Sequence, residues 1–118
     1  PGLTLQLGPD NASGGEQVQA LAPRARVVKA FNTTGFANMA NPTYAGAPTL
    51  MLYAGDDAAA KQVVHQLVAT LGFDAVDAGP LKRSREPEHL ASLWIVLAMG
   101  VGVPARGRDF AFRVVTRG

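Results

Sequence analysis

Apolar and polar positions alternate along this chain with two different periods, and the switches between them mark its elements. Residues 1–12 hold two prolines, two glycines and little periodicity, which predicts a loop. Ser13 and Glu16 stand at capping-box spacing, where each side chain satisfies the other residue's free backbone amide, so a helix is expected from Ser13. Val18, Leu21 and Ala22 give that helix one apolar stripe, and Pro23 stops it. Residues 26–31, Arg-Val-Val-Lys-Ala-Phe, have the pattern of a strand buried on at least one face. A short helix over residues 35–40 is expected to end at Asn41-Pro42.

The second unit has a clearer pattern. Residues 49–54 form a nearly continuous apolar run, as in a strand covered on both faces. Gly55-Asp56-Asp57 turns the chain and caps a helix over residues 58–71, whose buried stripe is expected at Ala60, Val63, Val64, Leu67, Val68 and Leu71. Gly72 ends it as a C-cap glycine. Residues 75–78 predict the next short strand, closed by Gly79-Pro80. Pro87 suits the first turn of a helix that runs to about Met99, with Leu90, Leu93, Trp94, Leu97 and Ala98 on one side. Residues 108–117 fit either period: Phe110, Phe112 and Val114 alternate, while Phe110, Val114 and Arg117 share a helical face.

Strands alternating with helices over short links imply an α/β layered domain. Three strands make a thin sheet, and its edges would leave backbone groups and apolar side chains uncovered. A partner subunit, further chain, or both are therefore expected to cover them, and a homo-oligomer is the simplest form of such cover.

Composition narrows the function classes. The chain has 118 residues, 47% of them hydrophobic and 17% charged, which suits one small globular domain. It contains no cysteine, which removes disulfides, thiolate metal sites and cysteine nucleophiles, and fits a cytoplasmic protein. The formal net charge is only +2, and the basic residues are scattered apart from residues 82–85 and 106–117, so no nucleic-acid partner is expected. No apolar run reaches the roughly 20 residues of a bilayer span, and residues 1–12 lack the features of a signal peptide. The chain starts on Pro1-Gly2 without a methionine, consistent with methionine removal or with a trimmed piece.

Candidate chemistry is sparse. His65 and His89 fall inside predicted helices without the partners a zinc site needs, so structural or surface roles are expected. Asp56-Asp57 could be a carboxylate pair, but a helix start uses acidic residues for capping. Ser13, Ser84 and Ser92 lack the flanking glycines of a nucleophile elbow. Gly100-Val101-Gly102 follows a helix rather than a strand, and Ser13-Gly14-Gly15-Glu16 is either an anion-facing helix start or simply its cap. The chain thus holds no complete phosphate-binding loop. Its most suggestive segment is Lys29-Ala30-Phe31-Asn32-Thr33-Thr34, where a buried strand ends in small and polar residues. In open α/β sheets ligands bind at the carboxyl edge, and Asn32, Thr33 and Thr34 could hydrogen-bond a carboxamide or ribose. The alternative is a turn, with Thr33 or Thr34 capping the helix near Phe36.

Several blocks together resemble the coenzyme F420-dependent NADP oxidoreductase family. They are residues 27–33 (Val-Val-Lys-Ala-Phe-Asn-Thr), Ala54-Gly55-Asp56-Asp57, Leu71-Gly72-Phe73, Asp77-Ala78-Gly79-Pro80-Leu81, the set Arg85, Glu88, Leu90, Leu93 and Trp94, and residues 107–112. The reductase domain of the six-transmembrane metalloreductases is similar over the first three blocks. The blocks occur in order and cover nearly the whole chain from Ser13.

The resemblance implies a partial Rossmann-like fold, half of a doubly wound, mostly parallel sheet with C-terminal helices. Residues 13–81 would be the C-terminal half of a dinucleotide-binding domain, after the loop at 1–12. Residues 82–118 would be a helical segment for the substrate pocket or oligomerisation. Complete family members carry a further half-Rossmann unit upstream, with the glycine-rich phosphate loop. Pro1 would then match the proline of an Asn-Pro turn after a preceding strand. The implied reaction is hydride transfer between NADP(H) and a flavin, a deazaflavin such as coenzyme F420, or a small acceptor. The strand end matching Ala30, Phe31, Asn32 and Thr33 lies against the nicotinamide in that family. Ala30, Phe31, Asn32, Thr33 and Thr34 are therefore the expected cofactor-binding residues. No catalytic side chain and no metal ligand are expected, since the cofactors carry the chemistry. Residues 103–106, Val-Pro-Ala-Arg, depart from the family pattern in its C-terminal linker. The alternatives are a non-catalytic dimerisation or binding module derived from a Rossmann enzyme, and a dehydrogenase of small carbonyl substrates.

Overall fold

The computed structural model describes residues 4–118, so the expectations attached to Pro1 and Gly2 lie outside the described residues. Helix α1 spans Gly14–Leu21 and starts as its sequence dictates. Ser13 Oγ accepts from Glu16 N, and Ser13 N donates to Glu16 Oε2 at 2.7 Å, which completes the capping box. Strand β1 is short, Val28–Lys29. A single 3₁₀ turn at Phe36–Met39 stands where the short helix was expected. A two-stranded ribbon follows, β2 (Thr43–Tyr44) against β3 (Ala47–Pro48), turned by Ala45 and Gly46 with φ of 50° and 74°. Positive φ at both central residues marks the tight hairpin turn whose twist matches its strands.

Strand β4 (Leu50–Gly55), helix α2 (Ala58–Thr70) and strand β5 (Asp74–Asp77) form the crossover unit expected from the second half. β4 and β5 pair in parallel, Leu50 with Asp74 through Tyr53 with Asp77. Asp57 caps α2, its Oδ1 accepting from Ala60 N at 2.8 Å, and Gly72 follows the helix at φ 99°. Asp56 Oδ1 instead accepts from Leu81 N at 2.9 Å, tying the turn to the segment after β5. Asp56 and Asp57 are thus both backbone acceptors. Helix α3 runs Arg85–Met99, beginning two residues before Pro87, and Gly100 closes it at φ 77°. Beyond it no helix or strand forms, so the helical expectation for residues 82–118 holds only as far as Met99.

The α/β architecture with a parallel pairing is as expected; its other edge is not parallel. β1 lies on the far side of β4 and runs antiparallel, with Val28 opposite Gly55 and Lys29 opposite Ala54. A parallel pair needs a long crossover, whereas the chain between β1 and β4 is spent on one 3₁₀ turn and the ribbon. The expected strand over residues 26–31 shrinks to two residues: Phe31 turns out of extended conformation at one end, and at the other Val27 N donates to Gln19 Oε1 at 3.4 Å rather than to a strand.

The core is Met51, Val68 and Phe73, with Phe31, Met39, Val64 and Ala75 packed on it. Only part of the stripe expected on α2 is buried. Val63, Leu67 and Leu71 remain exposed, since a three-stranded sheet is too narrow to cover the helix. No helix among the described residues is long and apolar enough to cross a membrane.

Candidate functional site

The segment after β1 is shaped by one residue. Phe31 has φ 67°, a left-handed conformation that costs a bulky residue about 1–3 kcal/mol. Its ring packs on the Met51–Val68–Phe73 cluster, which holds the conformation in place. Because β1 is antiparallel to β4, its carboxyl end runs back along the amino half of β4 rather than to a common carboxyl edge. That overturns the edge argument made from the sequence.

The five expected cofactor-binding residues separate into two groups. Thr33 is fully buried, and its hydroxyl accepts from Leu52 N at 2.9 Å, so it completes the hydrogen bonding of β4. Ala30 is half-buried and brings no polar group. Phe31, Asn32 and Thr34 line a cavity of about 460 Å³. Thr34 Oγ1 accepts from Asn38 Nδ2 at 2.7 Å, which leaves its own O–H to donate. Asn32 Nδ2 donates to the Pro87 carbonyl at 3.4 Å. That oxygen can only accept, so the amide nitrogen belongs on its side, and Asn32 Oδ1 is left buried without a protein partner. Neither Thr33 nor Thr34 caps the turn at Phe36, because Gly35 occupies that position.

The remaining wall comes from distant sequence. α3 contributes Trp94, Ile95, Ala98 and Met99, and the C-terminal segment contributes Arg108. Gly35 lies against the outer ring of the Trp94 indole, where a Cβ would collide with Cη2 and sit 2.8 Å from Cζ2 and 2.9 Å from Cζ3. Trp94 stacks on Phe110 with centroids 5.0 Å apart, and its Nε1 donates to the Phe110 carbonyl at 3.0 Å. The same carbonyl accepts from Asn38 Nδ2 at 2.9 Å. Asn38 Oδ1 accepts from Tyr44 Oη at 2.6 Å, and burial, reinforced by Asp109, pushes the Tyr44 phenol above its ordinary pKa. The wall is therefore fixed by hydrogen bonds from three separate parts of the chain. Residues 108–117, ambiguous in period, form neither helix nor strand; a bend at Arg108 and Asp109 leads into chain tethered at Phe110 and at Phe112, whose carbonyl accepts from Leu50 N at 2.9 Å.

A second, more polar cavity of about 350 Å³ adjoins the first and is lined by Lys29, Glu88, Ser92 and Gly14, with Asn32, Ala91 and Ile95 common to both. Glu88 is 9% exposed. Its carboxylate accepts from Gly14 N at 3.1 Å and Gly15 N at 3.4 Å, and it pairs with Lys29 Nζ at 3.3 Å. The amino end of α1, the anion-facing helix start considered in the sequence, is thus occupied by a side chain of this protein. Arg85 reinforces the same junction, with Nε 3.0 Å and Nη2 3.1 Å from the two oxygens of Glu16. This pairing, with the Ser13 amide, lowers the Glu16 carboxyl to about 2.

His65 and His89 have structural roles. His65 Nδ1 lies 2.9 Å from Tyr53 Oη, and His89 Nδ1 lies 2.6 Å from the Arg85 carbonyl one turn earlier. Sequence reasoning missed Gly35, Met39, Lys29 and Arg108 as parts of the cavities. Lys29, Glu88, Trp94 and Arg108 carried a signal only as members of the family-like blocks, and Gly35 and Met39 carried none.

No family model and no curated protein matches the chain. Solved structures do. A “putative F420 dependent NADP-reductase” from Arthrobacter sp. FB24 is 35% identical with a TM-score of 0.74, over 86% of this chain and 45% of that one. A hypothetical protein from Sinorhizobium meliloti is 38% identical with a TM-score of 0.54, over 59% of this chain and 35% of the other. The chain spans less than half the length of either structure. Over most of its own length it is similar, in fold and in sequence, to the F420-dependent NADP reductase family that its sequence blocks resemble.

Proposed function

We propose that this chain forms the nicotinamide and acceptor side of the active site of an NADP-dependent oxidoreductase, one that passes hydride between NADP(H) and a flavin, deazaflavin or small acceptor. The observation that carries the reading is Asn32. Asn32 lines both the polar and the apolar cavity, and its carbonyl oxygen is buried without a hydrogen-bond partner. A buried acceptor without a partner costs about 1–3 kcal/mol, which a ligand N–H would recover. The amide of a nicotinamide ring offers such a donor, and the residues present fit it. In this reading NADP(H), when bound, supplies the hydride chemistry, and the acceptor takes up the two electrons with a proton from water where it needs one.

The chain's own residues bind and orient. Asn32 would hold the carboxamide, kept in register by its bond to the Pro87 carbonyl. The Thr34 hydroxyl would donate to a carbonyl of the acceptor ring. Phe31, Met39 and Trp94 would exclude water from that ring, favouring transfer over loss of reducing equivalents. The similarity to an F420-dependent NADP reductase supports the same cofactor pair.

Saturation-transfer NMR of NADPH with this protein tests the reading. The nicotinamide protons should take up more magnetisation than the adenine protons. Equal transfer to both ends, or none, would contradict it.

A further inference from the structure

Arg108 stands apart from the other charged groups around the two cavities. Lys29 is paired with Glu88, Arg85 with Glu16, and Asp109 lies 3.2 Å from the Tyr44 hydroxyl. Arg108 has no ion-pair partner among the described residues. Its guanidinium carbon lies 5.9 Å above the ring of Phe36, which is itself 78% exposed. Both residues line the apolar cavity, whose other walls offer no charge. The flanking chain is held in place: Arg106 N and Gly107 N donate to the Leu97 and Ala98 carbonyls at 2.9 and 3.0 Å, and Phe110 is fixed as described. An unpaired guanidinium, seated on an aromatic face at the mouth of an apolar cavity, is prepared for an anion at the end of an otherwise apolar ligand.

We infer that Arg108 is a specificity-determining residue, which selects acceptors carrying an anionic group, such as a phosphate, beyond a planar ring. This rests on the acceptor reading given above and deepens it: the ring occupies the cavity between Trp94 and Thr34, and the anion meets Arg108. Neutral acceptors of the same ring lose that contact. Small carbonyl compounds, too short to reach both, are disfavoured.

Riboflavin and flavin mononucleotide share one ring system and differ by a phosphate, so they separate the ring contribution from that of Arg108. Titration of each at low salt, followed by Trp94 emission, should show flavin mononucleotide binding roughly five- to tenfold tighter. Raising the ionic strength should shrink the difference. Arg108→Gln should bring the two affinities together, while Arg108→Lys should keep part of the preference. Melting curves of both variants should match the parent, since the side chain is exposed. Equal binding of the two flavins by the parent protein, or a preference that survives Arg108→Gln, overturns the role of Arg108 alone. Failure of both flavins to bind overturns the flavin-acceptor reading and this inference with it.

Discussion

The hydroxyl of Thr33 accepts the backbone N–H of Leu52 at 2.9 Å, so a loop side chain stands where a neighbouring strand would supply a carbonyl. This bond fixes the segment after β1 against β4 and places Asn32 and Thr34 on the cavity side. Thr33→Val keeps the shape and removes the acceptor. It should cost about 1–3 kcal/mol in chemical denaturation, as expected for a strand N–H left unpaired. Thr33→Ser should retain most of the stability.

Gly35 sits so close to Trp94 that an added Cβ would collide with the indole. Gly35→Ala should push the indole off its stack with Phe110, destabilise the protein by about 1–3 kcal/mol and shift Trp94 emission. As this is the sole tryptophan, the shift is unambiguous.

Glu88 joins α1, β1 and α3 in one contact. Glu88→Ala leaves Lys29 and two helix-start amides without their acceptor and should cost about 3 kcal/mol in a denaturant titration. Glu88→Gln keeps an oxygen for the amides and should cost less, about 1 kcal/mol. Equal losses in the two variants would mean that only charge matters at this position.

Acid stability should depend on Glu16. Its carboxyl is lowered to about 2 from an ordinary 4.5, principally by Arg85 and then by the Ser13 amide. A lowered folded-state pKa stabilises the protein above the unfolded value, and that contribution fades as pH falls from about 4.5 towards 2. Glu16→Gln should therefore melt several degrees below the parent at neutral pH, and the two melting curves should converge near the bottom of that window.

Local chemistry was legible in the sequence and tertiary geometry was not. The Ser13–Glu16 box, the Asp57 cap, the Gly72 stop and the apolar run of β4 depend on residues a few positions apart, and each appears where its spacing placed it. The direction of β1 was hidden, because two apolar valines are equally compatible with a parallel or an antiparallel neighbour. Its short pairing follows from the left-handed turn at Phe31, a conformation that nothing in a phenylalanine announces. Val63, Leu67 and Leu71 have the periodicity of a buried face but meet a sheet too narrow to cover them. At the site, Asn32 and Thr34 stood out as polar residues ending an apolar run. Trp94 and Arg108 reach the same cavity from more than fifty residues away, a proximity that no spacing rule expresses.

In the proposed function the unpartnered oxygen of Asn32 receives the nicotinamide amide, and affinity for reduced nicotinamide mononucleotide reads that contact alone. Asn32→Ala should weaken binding by roughly tenfold, the worth of one well-placed hydrogen bond, with an unchanged melting temperature. Undiminished affinity in the variant, or a loss of stability in place of a loss of affinity, would contradict the account.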